Sequence, residues 1–169
     1  MLDELDRKIL AILQVDSTIS VQDIGDKVGL SATPCWRRIQ KLENAGYIRR
    51  RVALLDPEKL NLGVSVFIAV KTNQHNAEWV DRFRKIVIGF PEVVDFFRLS
   101  GDVDYLIRAV VPDIRAYDEL YRRLIEKIDL YDVSSMFAME QIKSTTELPL
   151  VYASAQRGRE AAARQSATV

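Results

Sequence analysis

Between Val21 and Gln40 (VQDIGDKVGLSATPCWRRIQ) two short helical patterns meet at a Gly-Leu-Ser turn, and few architectures bring two helices together so abruptly. In the first pattern Val21, Ile24 and Val28 recur at i, i+3 and i+7 and share one face, with Ser20 as N-cap and Asp23 as a weak capping-box partner. Gly25 lies on or beside that face, where a missing side chain lets a second helix cross closely. Gly29 supplies the permissive backbone of the turn, Ser31 caps the second helix, and Pro34 sits in its first turn, where a missing N–H costs little.

On the second helix Cys35, Ile39 and Leu42 recur at i, i+4 and i+7 and define its buried stripe. The opposite side carries Thr33, Arg37, Gln40, Lys41 and Asn44, with Trp36 and Arg38 on the flanks. Arginine, glutamine and asparagine can pair with base edges in the major groove, and lysine attracts phosphate. Ser31, Thr33, Trp36, Arg37, Arg38, Gln40 and Lys41 are therefore the candidate contacts to double-stranded DNA. The competing reading is a charged, solvated face on an ordinary three-helix bundle; the turn chemistry favours DNA.

The formal net charge of zero at first argues against nucleic acid. Its distribution reverses the argument, because Cys35 to Arg51 holds six basic residues (Arg37, Arg38, Lys41, Arg49, Arg50, Arg51) against one acidic residue, Glu43. With 48% hydrophobic and 28% charged residues the composition is that of a globular protein. One cysteine excludes an intrachain disulfide. No apolar run is long enough to span a bilayer, and MLDELDRK is acidic where a signal peptide would be basic, so a cytoplasmic protein with no membrane partner is expected.

The pattern divides near Asp56-Pro57. Before it, Leu5, Ile9, Ile12 and Leu13 make a helix started by Asp3 and ended near Asp16, so residues 1–51 are expected to form a helix-turn-helix domain of winged-helix type. Residues 52–62 read as a connector. Arg49, Arg50 and Arg51 precede it, and the sequence leaves phosphate contact and a solvated linker equally open.

Beyond it the period changes. Val64 to Lys71 alternates as a strand, Trp79, Phe83, Ile86 and Phe90 follow at helical spacing, and Val93–Ser100 and Asp104–Val111 read as strands joined by a turn. Tyr117, Leu120, Tyr121, Leu124 and Ile128 give a second helix and Val133–Lys143 a fourth strand. Residues 63–150 thus predict a ferredoxin-like βαββαβ domain and the chain an α+β protein of two domains. The tail, 151–169, has no apolar stripe and reads as flexible.

Both helices of that arrangement lie on one sheet face, yet Phe67 and Ala69 make the first strand apolar on the other, and Phe96, Phe97, Phe137 and Met139 add large side chains. An uncovered apolar face calls for a partner. The expectation is a homodimer through Phe67 and Ala69, which also pairs two helix-turn-helix units; coverage by the connector or the C-terminal segment is the alternative.

Taken together, GLSATPCWRRIQKLENAGYI, the connector ALLDPEKLNLG and a βαββαβ pattern with PEV before its second strand and SGDVDY after it resemble the Lrp/AsnC family of feast/famine transcriptional regulators, from about Leu2 to Leu150. The resemblance implies sequence-specific DNA binding near amino-acid metabolism or transport genes, modulation by a small amino-acid effector, and dimers that assemble into octamers or related rings. It places the effector at the turn of Ser100, Gly101, Asp102 and Asp104, against a neighbouring dimer. A glycine turn with two carboxylates offers partners to the carboxylate and ammonium of an amino acid, although the turn alone reads as an ordinary hairpin. TPCW and FAMEQIKSTTELP resemble most a subgroup associated with sulfur amino acids, cysteine in particular.

Other chemistry has little to build on. His75 is the only histidine and sits in a polar loop, there is no phosphate-binding glycine fingerprint, and no catalytic pair stands at a defensible spacing, so neither an enzyme nor a metal or cofactor site is expected. Cys35 falls on the buried stripe; packing outweighs redox sensing, for which a helix start could lower the thiol pKa. An amino-acid sensor acting by protein contact without DNA is the other functional class, and it leaves the basic N-terminal unit without a purpose.

Overall fold

The computed structural model describes residues 2–74 and 76–154, so His75 and the tail from residue 155 on lie outside the described residues. Two compact units divide the described residues, one of residues 2–53 with 143–154 and the other Leu54–Ile142. In this division Lys143–Ser154 falls with the N-terminal helices, whereas the second domain was expected to run to residue 150.

In the first unit α1 (Glu4–Val15), α2 (Val21–Val28) and α3 (Ala32–Asn44) form a three-helix bundle. Asp3 starts α1 through a capping box with Asp6, each side chain accepting the other's backbone N–H. The Ser20 side chain accepts from the Asp23 N–H at the start of α2, and its hydroxyl donates to the Asp23 carboxylate at 2.6 Å. Ile9, Leu13, Ile24, Val28, Cys35, Ile39 and Leu42 make the core, as the helical spacing predicts. Gly25 leaves no room for a side chain against the turn, since a Cβ there would lie 2.5 Å from the Leu30 carbonyl oxygen. Where a wing would follow Ile48, the chain to Asp56 has no regular secondary structure.

The described part of the returning C-terminal segment ends in a 3₁₀ turn over Leu150–Ser154, where the tail expected to be flexible begins. Thr146 donates its hydroxyl to the Gln14 carbonyl, and the Gln14 side-chain amide engages the Leu148 backbone. Arg51 also folds back, 3.0 Å from Glu43 and 3.5 Å from the Ser17 carbonyl.

The second unit has β1 (Val64–Lys71), α4 (Ala77–Ile88), β2 (Val93–Arg98), β3 (Tyr105–Val111), α5 (Ile114–Ile125) and β4 (Asp132–Phe137). The strands form one antiparallel sheet in the order β2-β3-β1-β4, the ferredoxin-like topology that βαββαβ predicts. Val66, Ile68 and Val70 of β1 and Tyr105, Ile107, Ala109 and Val111 of β3 are buried in one core with Trp79, Phe83 and Val87 of α4 and Leu120 and Leu124 of α5. Phe83 is fully buried between Trp79, Phe96 and Tyr105, with ring centroids 5.0–5.5 Å away, and truncating such a residue costs about 3–5 kcal/mol.

Strand β4 stops six residues earlier than the alternation suggests. Its last ladder bond runs from the Ala138 N–H to the Ser65 carbonyl, and β1 begins only one residue before Ser65, so Val64 is all of that strand that remains beside residues 139–143. Phe96 and Phe137 belong to the helix-covered face, against Phe83 and Tyr117 respectively. They do not contribute to the open face.

Candidate nucleic-acid interface and hairpin turn

The turn between α2 and α3 works as its residues dictate. Gly29 takes a left-handed conformation (φ 76°) and its N–H and that of Leu30 close back on Gly25. Ser31 occupies the N-cap position of α3, but its side chain makes no cap hydrogen bond, a departure from the expected cap. The exposed hydroxyl stands beside a helix N-terminus, where backbone N–H groups favour anions.

Thr33, Trp36, Arg37 and Lys41 are exposed along the outer face of α3, with Trp36 52% accessible. Gln40 is half-buried and donates its amide to Glu43 at 2.8 Å. Arg38 differs from all of these. Its guanidinium lies 2.6 Å from Asp3 and 2.7 Å from Asp6, so the structure ties it to the start of α1 rather than leaving it on the basic face. Of the arginine run, Arg49 and Arg50 are exposed, whereas Arg51 is held by Glu43. Sequence periodicity missed the Arg38 pairing because 100° per residue puts that side chain on a flank and says nothing of which neighbour it meets.

Cys35 is fully buried under this face, and burial pushes its thiol pKa up. That is opposite in sign to the lowering that redox sensing requires.

In the second unit the chain between β2 and β3 turns at Gly101, whose φ of 121° favours glycine. The Leu99 N–H donates to the Asp104 carbonyl at 2.8 Å and closes the turn, leaving Ser100, Gly101 and Asp102 exposed. Asp104 is anchored. Its N–H donates to the Val70 carbonyl, and one carboxylate oxygen accepts the Thr72 N–H at 2.8 Å, fixing the chain where it leaves β1. The two aspartates of SGDVD thus differ, Asp102 standing free at the surface and Asp104 holding the sheet end together.

The sheet face away from the helices carries Phe67, Ala69, Leu106 and Val110 half-buried, with Phe97 and Met136 about half exposed. Arg108 and Asp95 pair on it at 2.6 Å.

Both units match known domains. The Lrp/AsnC ligand binding domain matches residues 65–148, and the AsnC-type helix-turn-helix domain matches residues 2–43. The chain belongs to the Lrp/AsnC family. Among Lrp/AsnC relatives, the DNA-binding transcriptional activator DecR of Escherichia coli K12 is 50% identical over 151 residues, 89% of this chain and 99% of its own. An AsnC family transcriptional regulator from Agrobacterium tumefaciens has a crystal structure that superposes with a TM-score of 0.87 at 66% identity, over 89% of this chain and 99% of that one. A transcriptional regulator from Neisseria meningitidis, solved as a complex with L-Met, superposes with a TM-score of 0.86 at 36% identity, over 90% and 99%.

As an Lrp/AsnC protein the chain is a DNA-binding transcriptional regulator with a separate ligand-binding domain. Among the described residues no helix is long and apolar enough to cross a membrane, and no group of His, Cys, Asp and Glu is assembled to hold a metal ion.

Proposed function

We propose that this regulator reads DNA with the outer face of α3 and that a small amino acid, held at the Ser100–Asp104 turn against a neighbouring dimer, changes that reading. The observation carrying the first part is the exposed set Thr33, Trp36, Arg37 and Lys41 on a helix seated by a tight turn, with Arg37 fit for bidentate base contact and Lys41 for phosphate. Ser31 and Gln40 complete the contacts at either end. The open sheet face through Phe67 and Ala69 joins two copies, because a face of that apolar character needs cover and a twofold pair gives two recognition helices. Dimers then assemble further, into an octamer or a related ring.

At the turn, Gly101 leaves its backbone approachable and Asp102 offers a carboxylate to an ammonium group. The L-Met complex of the Neisseria regulator supports an amino-acid effector, and TPCW at Thr33–Trp36 favours a sulfur amino acid, cysteine first. The genes controlled are those of amino-acid metabolism or transport, and the protein works in the cytoplasm. Calorimetric titration with cysteine, methionine and leucine, run beside operator-binding assays with the same ligands, tests the reading. Binding of one of them with a change in operator affinity is expected; no heat and no change for all three would reject the effector.

A further inference from the structure

We infer that Arg38 is a positioning residue for operator recognition, which sets the rotation of α3 by clamping it to the first turn of α1. The inference rests on α3 being the DNA-reading helix and adds a residue that never touches DNA. One guanidinium nitrogen of Arg38 bridges Asp3 at 2.6 Å and Asp6 at 2.7 Å. The same two carboxylates are locked by their own capping box, in which the Asp6 N–H reaches Asp3 at 2.8 Å and the Asp3 N–H reaches Asp6 at 3.2 Å. Asp6 is only 2% exposed and is the one charged residue buried among the described ones, so the clamp includes a carboxylate that cannot fall back on water.

Two physical arguments separate this role from phosphate contact. The cluster of Arg38, Asp3 and Asp6 carries one positive charge against two negative, which repels a phosphate rather than recruiting it. The rest of the α3 seat is Cys35, Ile39 and Leu42, an apolar stripe whose contacts are non-directional and tolerate a small roll of the helix. A roll of about 20° moves groups at the helix envelope by about 2 Å, enough to misplace a bidentate base contact from the neighbouring Arg37. The charge-assisted bridge supplies the directional constraint that the stripe lacks.

The test uses the full chain and a duplex enriched by the wild-type protein from a random pool, against a scrambled duplex of equal length, with binding followed across salt concentration. Arg38→Gln and Asp6→Asn should each cut the preference for the enriched duplex by about tenfold while leaving the salt slope on scrambled DNA unchanged. The double variant should lose no more than the worse single one, since both break one clamp. Arg38→Lys should keep most of the preference, because one nitrogen makes both contacts. Melting curves check that each variant is folded at the assay temperature; if the others do not fold, Asp3→Asn, which removes only the exposed partner, should still lower the preference, and a preference equal to wild type in it overturns the clamp.

A salt slope shallower by about one in Arg38→Gln, with Asp6→Asn binding as wild type, would make Arg38 a phosphate contact and overturn the inference. Preference retained in a folded Arg38→Gln protein but lost in Arg37→Ala overturns the clamp alone. Preference retained in Arg37→Ala overturns the reading of α3 and the clamp with it.

Discussion

Gln14 holds Leu148 by both polar groups of its backbone, the side-chain oxygen accepting the Leu148 N–H at 3.0 Å and the side-chain nitrogen donating to the Leu148 carbonyl at 3.3 Å. The primary amide thus imitates a strand partner and fixes the C-terminal segment to the end of α1. Gln14→Ala should lower the unfolding free energy by about 0.5–1.5 kcal/mol and speed hydrogen exchange at the Leu148 amide. Thermal melts and exchange measurements check both, and unchanged exchange at Leu148 would show that the segment is held by other contacts.

The start of α1 gives a pH dependence. Backbone hydrogen bonding from Asp6, and then the bond to Arg38, hold the Asp3 carboxyl below its ordinary value of 3.8. A carboxyl lowered on folding stabilises the native state above its unfolded pKa and loses that contribution as the pH falls through the folded one. Wild type should therefore melt above Asp3→Asn near neutrality, and the difference should close as the pH drops below about 3.8. A gap that stays constant into that range would assign the effect to packing.

The outer face of α3 separates two kinds of contact. Arg37→Ala should cost about 1–3 kcal/mol of operator binding and relax specificity, whereas Lys41→Ala should weaken all sequences alike and shallow the salt dependence. Equal losses on operator and scrambled DNA for both variants would remove Arg37 from base reading.

Phe67 is half-buried at the centre of the open sheet face, opposite Arg108 on β3 and Met136 on β4. Phe67→Asp should dissociate the dimer and lose more operator affinity than fold stability, because the second recognition helix goes with the partner. Sedimentation at the wild-type mass would contradict the sheet-to-sheet dimer.

What was legible in the sequence was what repeats. The 3.6-residue stripe of Ile24, Val28, Cys35, Ile39 and Leu42 and the two-residue alternation of Val66, Ile68 and Val70 marked residues of both cores, and the order of elements gave the ferredoxin-like class. The bonds made by single polar side chains were not, since pattern gives a direction and no partner. Arg38 turned to Asp3 and Asp6, Asp104 to the Thr72 N–H, and Gln14 to Leu148, 134 residues away. The end of β4 was hidden for a related reason: Met139 to Lys143 continues the composition of the strand, but β1 extends only one residue past the last pair.

The effector is tested best at Asp102, because Asp104→Ala would also release the Thr72 N–H and disturb the sheet end. A ligand shifts DNA binding only by favouring one arrangement of dimers, so a residue that serves the ligand alone should leave ligand-free operator affinity intact. The most direct measurement is operator affinity of wild type and Asp102→Ala, each with and without cysteine, methionine or leucine. The account predicts equal affinity without ligand, a shift in wild type with at least one amino acid, and a reduced or absent shift in Asp102→Ala. A full shift in Asp102→Ala would contradict the placement of the effector at this turn.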